Sequence, residues 1–152
     1  MPVVFRGMQT LRGGCHCGNI RMELQLTRAP ATYRPRACDC SFCRRHGAAY
    51  ISDPLGTLRL SIRDERAATR YAQGSGQAEL LLCSTCGVLV SPLFNDGGRL
   101  YAAVNVNAVE NADAFGAPQS VSPQTLSAGD KAQRWRELWF SDVAVGAQPA
   151  SG

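Results

Sequence analysis

A chain of 152 residues is long enough to bury one core without disulfides, and an apolar fraction of 45% is too high for a disordered polymer. Its formal charge of +4 suits an anionic small molecule or a weak nucleic-acid contact and selects neither. No run approaches the ~20 apolar residues of a membrane helix and no secretory signal is visible, so the expectation is a soluble, cytoplasmic protein with one domain over 1–145 and a small, frayed tail over 146–152.

In chain order the pattern is mostly β. Ile20 to Leu26 alternates apolar and polar residues, as a half-buried strand does. A short helical turn is expected after Cys40, around Ser41 to His46. Strands follow at Ala48 to Ser52 and Leu58 to Ile62, around a turn at Asp53-Pro-Leu-Gly56. Thr69 to Ala72 reads as a short strand ending at Gly74-Ser-Gly76. Ala78 to Leu82 runs into Cys83, and Val88 to Phe94 leaves Cys86-Gly87, which predicts a hairpin with a metal knuckle at its tip. After a turn at Asn95-Asp-Gly-Gly98, Leu100 to Val106 is a further strand. The one longer helix is predicted between Ser127 and Phe140, with Ala132, Trp135, Leu138 and Trp139 at helical spacing.

Seven cysteines dominate the chemistry, and an odd number forbids a complete disulfide framework. They lie in local groups, Cys15 and Cys17, then Cys38, Cys40 and Cys43, then Cys83 and Cys86, which is how chains present thiolates to a soft metal. Zinc is the default ion, with iron as the minority alternative. Cys83-Ser-Thr-Cys86-Gly87 turns tightly enough for both sulfurs to reach one ion, and Cys15-His-Cys17 between glycines supplies the second pair. Four thiolates make a closed structural site that joins the N-terminal strand to the central hairpin. His16, between two ligands, is expected to point away.

The remaining three thiols, Cys38, Cys40 and Cys43, leave a fourth position open, as in a catalytic zinc. Three thiolates make a poor Lewis acid toward water and a better centre for binding and deprotonating an incoming thiol. His46 offers an alternative fourth ligand that would close the site. Arg44, Arg45 and His46, with Arg34 and Arg36 just before the triplet, offer a basic cluster for the carboxylates of an anionic thiol, or equally a solvated basic face. Asp39 is a candidate proton relay. Asn105 and Asn107, alternating on one strand, are candidate pocket residues.

Gly13-Gly-Cys-His-Cys-Gly18, Cys38-Asp-Cys-Ser-Phe-Cys-Arg-Arg45, Leu82-Cys-Ser-Thr-Cys-Gly87 and Val104-Asn-Val106 resemble, in order and spacing, the glutathione-dependent formaldehyde-activating enzyme family, which includes the centromere protein V group. The resemblance spans about Leu11 to Asn107. It implies a mainly β, β-tent fold like that of the Rab exchange factor, made of small antiparallel sheets with zinc knuckles and a C-terminal helix. It further implies two zinc ions, a structural one on Cys15, Cys17, Cys83 and Cys86 and a labile catalytic one on Cys38, Cys40 and Cys43. The implied reaction is that of a carbon–sulfur lyase, joining glutathione to formaldehyde as S-(hydroxymethyl)glutathione. Against this enzyme stands a non-catalytic zinc module that binds a protein. A nucleic-acid partner is disfavoured by 7% aromatic content with no basic–aromatic alternation. A redox or metal-buffering role for the triplet is the third reading.

Overall fold

The computed structural model describes residues 9–148. In chain order its strands are β1 (Gln9–Gly14), β2 (Ile20–Leu26), β3 (Arg36–Cys38), β4 (Ala49–Ile51), β5 (Thr57–Ile62), β6 (Ala68–Ala72), β7 (Ala78–Cys83), β8 (Leu89–Asp96), β9 (Arg99–Ala102), β10 (Val104–Asn105), β11 (Gln119–Val121) and β12 (Asp142–Ala147), with helices α1 (Ser41–His46) and α2 (Ala128–Leu138). They form three four-stranded sheets, ordered β1-β2-β5-β12, β10-β4-β3-β11 and β6-β7-β8-β9. The protein is mainly β, as its residue pattern predicts.

The alternation in β2 does what half-burial requires: Ile20, Met22, Leu24 and Leu26 are buried while the residues between them are not. They pack with Leu58, Leu60 and Ile62 of β5 and with Leu81, Val90 and Val104 from the other sheets into one shared core. A second cluster gathers Cys40, Cys43, Tyr50, Leu80 and Phe94 under Ala132 and Trp139. A cavity lined by Cys40, Cys43, Tyr50, Leu80 and Trp139 lies in this second region.

Pairing departs from the purely antiparallel expectation in two places, since β12 runs parallel to β5 and β11 parallel to β3. Both are late strands that add to edges laid down much earlier in the chain. The turn at Asp53–Gly56 does not close a hairpin. It carries the chain from β4 in the second sheet to β5 in the first, with the Gly56 amide donating to the Asp53 carbonyl at 3.0 Å. The predicted strand from Leu100 to Val106 divides at Ala103, where β9 leaves the third sheet and β10 joins the second by pairing with β4.

The tail expected over 146–152 also needs correction. Gly146 and Ala147 belong to β12, paired with Ser61 and Ile62, and the Gln148 side-chain amide donates to the carbonyls of Gly18 and Asn19, both at 2.9 Å. The rest of that expected tail, 149–152, lies outside the described residues. Helix α2 occupies the predicted region with Ser127 as its N-cap, the hydroxyl accepting from the Asp130 amide at 3.1 Å. It ends at Leu138, and Phe140 is fully buried in a bridge to Ala102.

Candidate metal centres and their cavity

The β7–β8 hairpin bends at Cys83-Ser-Thr-Cys86, where the Gly87 amide donates to the Cys83 carbonyl at 2.8 Å and Gly87 takes a left-handed φ of 82°. The β1–β2 connection brings Cys15 and Cys17 to the same place. The four Sγ atoms lie within 4.8 Å of one another, with Cys15 to Cys17 at 3.8 Å and Cys17 to Cys83 at 3.6 Å. A disulfide would hold sulfurs about 2 Å apart. A tetrahedral ion bound at about 2.3 Å needs sulfurs about 3.8 Å apart, which is the spacing found. Amides of Ile20 and Cys86 donate to Cys15 and Cys83 at 3.2 and 3.5 Å, the support that thiolates need.

The thiol chemistry of this cluster points the same way. Burial, together with the neighbouring thiols, pushes Cys15 up to about 11. Against its own burial, Cys86 is held at about 6 by backbone donors at Cys17 and Val88 and by the adjacent thiols. A cluster that shares protons in this way gives them up together when a cation enters.

The second cluster unites β3 with α1. Cys40 caps α1, its sulfur accepting from the Cys43 amide at 3.3 Å, and the Sγ atoms of Cys38, Cys40 and Cys43 lie within 4.8 Å of one another. The hydrogen bond from Cys43 brings Cys38 down to about 6, and the same bond, with burial, pushes Cys43 up. Tyr50 on β4 places its hydroxyl 3.1 Å from the Cys43 sulfur. Burial first, then the nearby thiols, raises the Tyr50 phenol above its ordinary value. Once Cys43 is a thiolate, the phenol is therefore the donor in this pair.

A cavity of about 300 Å³ opens over this second cluster. Cys38, Cys40, Cys43 and Tyr50 line it together with Trp135 of α2 and Trp139 just past its end, the two indole rings stacked at 5.1 Å. Its cationic lining residues are Arg36, Lys131 and Arg134, and no aspartate or glutamate among the described residues lines it. Burial and the proximity of Arg134 lower Arg36 to about 10, which leaves it charged at neutral pH.

The sequence-predicted residues are placed unevenly. Both cysteine groups assemble as the spacing suggests. Arg44, Arg45 and His46 are exposed and absent from the cavity lining, because the last turn of α1 faces outward. The His46 ring lies 4.6 Å from that of Phe42 in a tilted contact and does not join the thiol donors. Arg34 is exposed, and only Arg36 of that pair reaches the cavity. Asp39 accepts from Ser122 and from Gln124, anchoring the segment after β11 rather than facing the cluster. Asn105 is buried and donates to the Leu89 carbonyl at 3.0 Å, while Asn107 donates to the Gly47 carbonyl at 3.0 Å. Both hold backbone in place and neither lines this cavity. Sequence reasoning missed Tyr50, Lys131, Arg134 and the tryptophan wall. The two aromatic residues on the apolar stripe of α2 were the available signal.

No helix among the described residues is long and apolar enough to cross a membrane. A crystal structure of a Rhodobacter sphaeroides protein is 32% identical to this chain, covering 73% of this chain and 100% of its own, with a TM-score of 0.54. The family model described as glutathione-dependent formaldehyde-activating enzyme matches residues 10–126, which hold all seven cysteines in their two clusters. The chain belongs to the glutathione-dependent formaldehyde-activating enzyme family.

Proposed function

We propose that this protein is a zinc-dependent enzyme of the carbon–sulfur lyase type, joining a thiol such as glutathione to a small aldehyde such as formaldehyde. Cys15, Cys17, Cys83 and Cys86 hold a structural zinc, and Cys38, Cys40 and Cys43 hold a second, labile zinc at the reaction site. The observation that carries this reading is that one cluster brings together four thiols, enough to close a tetrahedral site, while the other brings together three, all of which line one cavity. Seven free thiols suit a reducing, cytoplasmic compartment.

A zinc ion held by Cys38, Cys40 and Cys43 would lower the pKa of a substrate thiol that binds it. The chain's own residues do the rest. The Tyr50 hydroxyl, 3.1 Å from the Cys43 sulfur, would donate to it once Cys43 is a thiolate, fixing that ligand and tempering its charge. Trp135 and Trp139 restrict water on one side of the cavity. The substrate sulfur forms a bond to the aldehyde carbon, the carbonyl π pair moves to oxygen, and the thiol proton is balanced by the proton that oxygen takes up. No oxidant or reductant is required.

The direct test is exchange NMR on glutathione and formaldehyde with zinc-loaded protein. The reading predicts interconversion with S-(hydroxymethyl)glutathione above the spontaneous rate, lost in Cys38→Ser. A rate equal to that of the protein-free mixture would contradict it and favour a non-catalytic zinc module.

A further inference from the structure

Three cations line the same small cavity, whose acidic groups among the described residues are the thiols of Cys38, Cys40 and Cys43 and include no carboxylate. Arg36 comes from β3, Lys131 and Arg134 from α2, and none of them takes part in an ion pair among the described residues. Their neighbour Arg136 shows the contrast, pairing with Asp96 at 2.7 Å on the outer face of α2. Arg36 is also held in place. Its guanidinium donates to the Ser52 hydroxyl at 2.7 Å, and that hydroxyl spends its own proton on the Leu138 carbonyl at 2.6 Å, at the end of α2. One face of the guanidinium is thus fixed to protein while the group still lines the cavity.

Holding half-buried like charges together is costly unless an anion completes the arrangement. Guanidinium groups are matched to carboxylates in shape and in the number of donors. We propose that Arg36, Lys131 and Arg134 form a carboxylate-binding subsite beside Cys38, Cys40 and Cys43, and that α2 thereby selects an acidic thiol over a neutral one. Lys131 and Arg134 lie outside the residues matched by the family model, 10–126, so this selection is added by an element beyond the matched cysteine framework. The inference rests on the reading that the cavity receives a thiol substrate, and it assigns the part of that substrate that the thiol cluster does not touch.

The chain contains two tryptophans, and both line this cavity, so intrinsic fluorescence reports on its contents. Zinc-loaded full-length protein would be titrated with S-methylglutathione, which has no S–H, with its diethyl ester, and with glutarate. The acid is expected to bind at least ~10-fold more tightly than the ester. Arg134→Ala and Lys131→Ala are each expected to weaken the acid by roughly 10-fold, about 1.4 kcal/mol, and to leave the ester unchanged. Arg44→Ala serves as the control for bulk charge and is expected to bind as wild type does.

Glutarate separates this proposal from the glutathione assignment. Arg134-dependent glutarate binding without S-methylglutathione binding keeps the subsite and removes glutathione. Equal binding of acid and ester overturns the subsite, as does binding of neither anion. If the cations only balance the thiolate cluster, Arg134→Ala will weaken zinc retention and leave probe affinity unchanged, which also overturns it.

Discussion

Asp53 shows how much one side chain does outside the thiol clusters. It is 3% exposed, yet it accepts from the Thr27 amide at 2.8 Å, the Thr27 hydroxyl at 2.6 Å, the Tyr33 hydroxyl at 2.6 Å and the Leu55 amide at 2.9 Å. Burial works to raise its pKa, but these donors prevail and hold it below the ordinary carboxyl value. A depressed folded-state pKa stabilises the protein above the unfolded value, about 3.9, and that contribution fades as pH falls through the folded value. Asp53→Asn is expected to cost about 2–3 kcal/mol at pH 7 and to flatten the acid limb of the stability profile, as read by urea unfolding at several pH values. A loss that did not vary with pH would assign the effect to packing alone. Tyr50→Phe acts differently, because it removes only the donor to Cys43. The fold should persist while the zinc affinity of the second site falls about 10-fold, measured by competition with a chromophoric chelator.

At the scale of elements, α2 is both a wall of the cavity and a helix with one clear cap. Ser127→Ala removes the acceptor for the Asp130 amide and should cost about 1 kcal/mol, seen as a lower unfolding midpoint with tryptophan emission shifted to the red. An unchanged emission would mean that the cavity does not depend on the first turn. This helix was legible in the sequence because its aromatic residues recur at helical spacing, and the β7–β8 hairpin was legible from two apolar runs around a Cys-x-x-Cys-Gly turn. β3 and β11 were not, being three residues each: β3 is held between β4 and β11, and β11 pairs with β3 from far along the chain. β12 escaped because Asp-Val-Ala-Val-Gly-Ala is short and small, and only parallel pairing with β5 makes it a strand. The cationic wall was hidden for a related reason. Arg44, Arg45 and His46 adjoin the thiols in sequence but face outward, whereas Lys131 and Arg134 reach them through the docking of α2.

At the scale of the whole molecule, the two thiol clusters occupy different mechanical positions. Cys15 and Cys17 lie between β1 and β2 of the first sheet, and Cys83 and Cys86 lie at the β7–β8 turn of the third, so an ion there ties two sheets together. Cys38, Cys40 and Cys43 lie within one short stretch, where an ion bridges little beyond β3 and α1. Losing the first ion should therefore lower Tm sharply, and losing the second should hardly move it. Near-UV circular dichroism of Cys83→Ser and Cys38→Ser would show the difference, and equal shifts would refute the division of roles. The grouping of the seven thiols into four and three was legible in the sequence, because local spacing presents them as pairs and a triplet without knowledge of the sheets.

The proposed function requires that the three-thiol cluster hold an ion with a position open to a substrate thiol. Cobalt-substituted protein titrated with glutathione tests it most directly, since each sulfur bound to cobalt adds charge-transfer absorption. Two cobalt ions per chain are expected, with glutathione adding sulfur absorption in wild type and none in Cys38→Ser. Two cobalt ions whose spectra ignore glutathione would contradict it.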